Sequence, residues 1–368
     1  MGLRKNLKKC IIRRVMKKRK SEQNFDEVAS DLHQMPTDAD ETINHSHYFK
    51  SHDKDGNAFF FRLGQRGGKK PTAEIWFGFV TSCGKAYMNS KELYDLSDSP
   101  ASAKCVVPLR EWKFSFKGKM FPVSAGENLV AVPNGSEIDT EFNAVFTSKN
   151  GLFEFARDTH IDAYAEAIAS EKWTKGFSEE LKDNTQTRVE HVGHVKCTFK
   201  ADGKIYSMDA PALRDQAYGK RYWSYMNHYS WLVGNLVDGR SFNTVMVLYP
   251  TINKTGLKTG YVMENGQYHS LTHVDYPVHF TTKGVAPVEG RATARFVDGT
   301  YAVIDFKSSI IFPYTFKDNR GAYNVFECIT TFDFNDVKGM GISEFSYNAD
   351  PRRYQEAFTH TTHGRILK

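Results

Sequence analysis

The sequence is poor in the features that mark several large protein classes. Its 368 residues include five cysteines, Cys10, Cys83, Cys105, Cys197 and Cys328, an odd number at long spacings with no CxxC pair. That excludes a zinc ribbon or thioredoxin-type motif and fits free thiols in a reducing compartment. Long apolar runs are missing too. The longest charge-free stretch, residues 222–237, contains Asn227, His228 and Asn235 and is too short and polar for a membrane span. No apolar segment follows the basic start, so no secretory signal is expected. There is no GxSxG elbow and no GxxxxGK[ST] loop, which removes an α/β-hydrolase and a P-loop NTPase.

Acidic residues are absent from the first twenty positions, which carry ten Lys or Arg. Without that segment, thirty-nine basic residues face forty-three acidic ones, so the rest is mildly acidic. A nucleic-acid-binding domain would carry its basic patch on the folded face, so no specific nucleic-acid partner is expected. Residues 1–44 read as a solvated, disordered tail. Two other roles stay open for residues 1–20: peripheral contact with an anionic membrane, or a mitochondrial or nuclear address. The compartment expected is the cytoplasm, with those as the alternatives.

What is abundant is aromatic residues, 27 Phe and 18 Tyr, and tight-turn dipeptides. Seven Asp-Gly or Asn-Gly pairs occur, beginning at Asp55, Asn134, Asn150, Asp202, Asp238, Asn265 and Asp298. Such pairs accept the positive φ that two-residue hairpins require. Between them apolar residues alternate: Trp112, Phe114 and Phe116; then Thr140, Phe142, Ala144 and Phe146; then Val195, Cys197 and Phe199. Period two with regular turns predicts antiparallel sheet. Only residues 158–182 break it, with Ile161, Tyr164, Ala165, Ile168 and Trp173 at helical spacing and Gly176 as a divider. The expected organisation is a strand-rich domain over 45–157, a helical connector over 158–185, a second strand-rich domain over 186–350, and a short tail over 351–368.

The most informative stretch is Arg214-Asp215-Gln216-Ala217-Tyr218-Gly219-Lys220-Arg221-Tyr222-Trp223. A long strand pair around Asp238-Gly239 follows it, then Gly260-Tyr261 and Gly341-Ile342-Ser343-Glu344-Phe345. This order resembles the lipocalin-like superfamily of carotenoid 1,2-hydratases (CrtC type), AttH-type proteins and Diels–Alderase-like cyclases, in its animal-type branch. Pro108-Leu109-Arg110-Glu111-Trp112 and the segment 167–173 resemble it as well. The resemblance implies an all-β fold of two tandem antiparallel lipocalin-like, calycin-type barrels with an apolar cavity, and no metal or organic cofactor. The family carries His and Ser where this chain has Gln216 and Ala217, and an amide cannot titrate.

The function expected is binding of an elongated hydrophobic small molecule, a terpenoid, polyketide or lipid, in a barrel cavity. The alternatives are a cofactor-free hydratase, cyclase or isomerase with Asp215 or Glu344 as the acid, and a non-catalytic interaction protein working through its basic arm. Arg214, Gln216, Tyr218, Arg221, Trp223, Tyr225, Trp231 and Tyr261 are the expected ligand-binding residues. The bland alternative makes Arg214, Asp215 and Arg221 one buried salt-bridge cluster. His269, His273, Asp275 and His279 invite a metal, but Pro277 interrupts the strand and no fourth ligand is spaced nearby, so no metal site is expected.

Overall fold

The computed structural model describes residues 2–22, 24–183, 186–276, 285–318 and 321–353. Pro277 and His279 lie outside them, as does nearly all of the tail expected over 351–368. Eight strands form the first barrel: β1 (Ile43–His52), β2 (Ala58–Arg66), β3 (Thr72–Val80), β4 (Ala86–Asn89), β5 (Glu111–Ala125), β6 (Ile138–Thr147), β7 (Thr187–Ala201) and β8 (Lys204–Lys220). Each pairs antiparallel with the next, and β8 pairs with β1, so the ring closes without an edge. Nine more strands follow: β9 (His228–Leu236), β10 (Ser241–Leu248), β11 (Leu257–Glu264), β12 (Gln267–Ser270), β13 (His273–Asp275), β14 (Glu289–Arg295), β15 (Tyr301–Asp318), β16 (Gly321–Phe334) and β17 (Val337–Asn348). They form a second meander in which β9 pairs with β17. Among the described residues its ladder is open between β12 and β13, so the described strands form a curled sheet.

The expected domain boundary moves. The hairpin β7–β8, assigned from sequence to the second domain, completes the first barrel, because β8 is the strand that pairs with β1 over nine residues. The helical connector, α3 (Phe155–Asp158), α4 (Ile161–Ser170) and α5 (Phe177–Asp183), is therefore inserted between two strands of one barrel. Five of the seven expected Gly turns join consecutive strands, with positive φ at Gly56, Gly203, Gly239, Gly266 and Gly299. Asn134-Gly135 and Asn150-Gly151 lie in longer connections. The β16–β17 turn uses Asn335 and Asp336, both with positive φ, where no glycine marked it.

Residues 1–44 are not a disordered tail. They contain α1 (Gly2–Glu22) and α2 (Glu27–Asp31). Ile12 of α1 is buried against Ala165 and Ala169 of α4. Lys5 and Lys9 pair with Glu166, and Arg13 with Asp162 at 2.6 Å, so much of the inner basic face is neutralised by α4.

The barrel interior is filled. Phe49 stacks on Phe114 at 3.9 Å between centroids, and Phe79 on Phe199 at 4.3 Å. One end of the barrel is closed by α2. The Asp31 carboxylate is fully buried there and accepts from Arg214, from Trp112 Nε1 at 3.2 Å and from the Leu109 amide at 2.7 Å. Gln216 donates to the Ser30 carbonyl at 3.2 Å, and His33 stacks on Tyr218 at 3.7 Å. Burial keeps His45 and His47 beside them neutral, pushing His45 down to about 3.

Removing one partner of a buried ion pair leaves an uncompensated charge. Asp31→Ala should therefore cost ~3–5 kcal/mol of unfolding free energy in urea titration. A loss below ~1 kcal/mol would show that the plug does not hold the barrel.

Candidate functional site

Because side chains alternate along a strand, the barrel has an outer face as well as a filled interior. On β1, His45, His47 and Phe49 point in, while Ser46, Tyr48 and Lys50 point out and are still buried. On β2 and β3 the outward residues are Phe60, Arg62 and Trp76. The second sheet packs against them. One of its faces closes its own core around Leu232, Phe242, Ile304 and Phe345. The other presents Trp231, Val245, Tyr261, Phe312 and Ile342 to the barrel. Gly78 permits the close approach: a Cβ there would lie 2.4 Å from the Phe60 ring and 3.3 Å from Phe312.

A cavity of about 250 Å³ lies in this seam. Trp76, Trp223 and Trp231 line it with Val245 and Val247, and the helices add Phe155, Tyr164 and Leu181. Its polar lining includes Arg62, Arg188, Asp215, Arg221 and Glu344. A larger depression, about 1180 Å³, lies open over β5 to β8 and is lined by Lys104, Lys113, Lys196 and Asp209. Phe114, Leu236, Val237 and Met340 give it apolar lining as well, but it is the more open of the two and holds no buried carboxyl shifted toward neutrality, so the seam is the stronger candidate.

Period two splits the expected motif. Arg214, Gln216 and Tyr218 face the barrel interior and are engaged with the α2 plug, so none of them lines the cavity. Asp215 faces the seam. The three charged residues do not form one cluster: Arg214 pairs with Asp31, Asp215 accepts from Arg188 Nε at 2.6 Å, and Arg221 is held by the Gln186 amide oxygen at 2.8 Å. Trp223, Trp231 and Glu344 line the cavity. Tyr261 stands just behind it, donating to Glu190 at 2.7 Å. Tyr225 is peripheral and bonds Glu180 and Thr251.

The sequence pointed to Glu344 but not to the ions around it. Lys50, 2% exposed, sits 3.1 Å over the Trp231 ring, and its Nζ has no hydrogen-bond partner. A desolvated contact of this kind contributes ~2 kcal/mol, which offsets part of the cost of burying the ammonium. Burial still pulls Lys50 down to about 8, against the opposing pull of Glu327 and Glu344. Burial also pushes Glu327, Glu190 and Glu344 up to about 7. Glu327 accepts from Tyr48 Oη at 2.8 Å; Glu190 accepts from Tyr261 and Asn243. Glu344 makes no hydrogen bond or ion pair among the described residues. It is thus a carboxyl group on an aromatic wall whose protonated form burial favours well above the usual carboxylate range. Lys50, Tyr48, Glu327, Arg188 and Arg62 escaped the sequence reading because strands buried on both faces lose the alternation that marks an inner face. No three His, Cys, Asp or Glu are placed to hold a metal among the described residues.

The family described as a domain of unknown function, DUF7064, matches residues 27–349. The chain belongs to the DUF7064 family. Helix α1 precedes the matched region. No curated protein matches the chain. Among solved structures, a Nitrosomonas europaea protein classed as AttH superposes with a TM-score of 0.56 at 12% identity, over 88% of this chain and 96% of that one. CghA in complex with Sch210972 superposes at 0.50 and 9% identity, over 83% and 88%. At these identities the likeness establishes the fold of this DUF7064 protein, which is lipocalin-like as the sequence resemblance implied. No helix among the described residues is long and apolar enough to cross a membrane.

The raised Glu344 sets a pH dependence. Its affinity for a proton is higher folded than unfolded, so its contribution to stability is present at low pH and is lost as pH rises through about 7. Glu344→Gln removes that loss. Between pH 4.5 and 8 the variant should gain on the wild type by ~3 kcal/mol in urea titrations. A difference that stays constant with pH would show that Glu344 ionises normally.

Proposed function

We propose that this DUF7064 protein binds a slender, mostly apolar small molecule in the seam between barrel and second sheet, and transfers a proton to it from Glu344 without a cofactor. One observation carries this reading: Glu344 lines an aromatic cavity, titrates near neutrality, and has no ion-pair or hydrogen-bond partner among the described residues. A general acid works best with its pKa near the operating pH, and burial supplies that here. Protonation of an alkene leaves a cation that the faces of Trp231 and Trp223 can stabilise. Addition of water, with its proton returning to the Glu344 carboxylate, completes a hydration. Return of a proton from a neighbouring carbon to the Glu344 carboxylate instead gives an isomerisation. Asp215, tied to Arg188, is an electrostatic partner and not the acid.

The cavity, at about 250 Å³, lies just below the ~300–1,000 Å³ usual for small-molecule sites, which favours a slender ligand. Ligands of the terpenoid, polyketide or lipid class fit its lining. That CghA has been crystallised with a small molecule, Sch210972, is in keeping with this. Binding without turnover is the second reading, and the filled first barrel moves the expected site from inside a barrel to between two sheets.

The test is native mass spectrometry after incubation with a cell lipid extract. A retained small molecule is expected on the wild type and on Glu344→Gln, with chemical conversion only by the wild type. Val247→Trp, which fills the cavity, should retain nothing. Equal conversion by Glu344→Gln would remove the acid role, and equal retention by Val247→Trp would remove the site.

A further inference from the structure

The charges around the seam are not evenly matched along its length. On the side of β2, the guanidinium groups of Arg62 and Arg66 share a single carboxylate, Glu74, at 3.3 and 3.2 Å. Arg188 has two, Asp215 and Glu190. Arg221 has none among the described residues. Its Nε and Nη2 both go to one neutral acceptor, Gln186 Oε1, at 3.1 and 2.8 Å. Its Nη1 has no acceptor among the described residues, and the side chain lines the cavity, 5.0 Å over the Trp223 ring. Arg66 Nη1 donates to the Arg221 carbonyl at 2.8 Å, which holds a second cation against the same segment. Burial, Arg62 and Arg66 together work against the Arg221 charge. Arginine does not release its proton, so this cost persists until an anion arrives.

The same end of the cavity has unspent donors. The indole N–H groups of Trp76 and Trp223 are buried, line the cavity, and have no hydrogen-bond partner. Native proteins leave few such groups, and here both are in the wall nearest the excess positive charge: Arg62 lies 4.4 Å from the Trp76 ring and 5.4 Å from that of Trp223. Glu327, which accepts from Tyr48, and Glu344, which has no partner among the described residues, belong to β16 and β17 and flank Lys50. Trp231 Nε1 and Lys50 Nζ are unpartnered as well, at the Glu344 end, so what distinguishes the Arg221 end is a guanidinium with no carboxylate partner among the described residues.

We infer that the ligand is an organic acid whose carboxylate docks on Arg221 beside Trp223, with its apolar body along the tryptophan wall toward Glu344. This rests on the seam being the ligand site. It adds that the ligand is an anionic amphiphile and not a neutral hydrocarbon, and that Arg221 fixes which of its atoms reaches the acid. A carboxylate suits the guanidinium because charge-assisted N–H···O⁻ bonds are about twice as strong as neutral ones.

The experiment is a fluorescence titration of the full chain, reading the cavity tryptophans, with dodecanoate, 1-dodecanol and methyl dodecanoate as probes. Dodecanoate is expected to bind at least tenfold tighter than the two neutral probes. Arg221→Gln should bring dodecanoate down to the level of dodecanol and leave dodecanol unchanged, and Arg221→Lys should restore part of the preference. Val247→Trp should abolish binding of all three, which separates the cavity from lysines on the surface. Equal affinity for acid and alcohol in the wild type would overturn the carboxylate assignment and leave the cavity reading intact. Loss of both probes in a folded Arg221→Gln would make Arg221 a structural residue. Binding of no probe by the wild type would overturn the cavity reading and this one with it.

Discussion

The structure depends on how charge is buried between two sheets. The barrel's outer face and the facing side of the second sheet are largely buried, yet Lys50, Arg62, Glu190, Glu327 and Glu344 lie between them, with Arg188 partly exposed at the margin. Each ion in such a place needs a partner or must surrender its charge. Arg188 takes the first course with Asp215 and Glu190, and Glu327 and Glu344 take the second. The result is a seam that is polar where it is most enclosed and apolar along its lining. A packed hydrocarbon interface would be easier to stabilise, so the retained ions are what the proposed function draws on.

Much of the fold is legible in the sequence because it is local. Hairpins announce themselves through Asp202-Gly203 or Asn265-Gly266, and the inward stripes of β5 and β6 alternate cleanly. Closure is not local. That Tyr48 pairs with Asp215 across β1 and β8, 167 positions apart, leaves no trace in either segment. The domain boundary was misplaced for that reason. The N-terminal segment was misread because its charge suggests solvation, while its partners, Glu166 and Asp162, lie on α4.

The site was half legible. The motif around Asp215 and Glu344 was recognisable, but reading it as one unit concealed its two faces. Arg214, Gln216 and Tyr218 hold the barrel shut, whereas Asp215 and Arg221 open on the seam. Gln216, which takes the place of a titrating residue in the resembled family, bonds Ser30 and His45. The proton transfer proposed above therefore rests on Glu344 and not on that position.

The late return of β7 and β8 to the first barrel governs how the chain can be assembled on a ribosome. When residues 1–157 have emerged, β1 has no β8 and β6 has no β7, so two strand edges and the aromatic interior stand open. Closure waits until position 220 is out, and Asp31 then meets Arg214 only as the ring is completed. Folding of the first barrel is thus a late, long-range event, slow by its contact order and exposed to misassociation in the interval. Cutting the chain between the two apparent sequence halves would yield a fragment held in that vulnerable state.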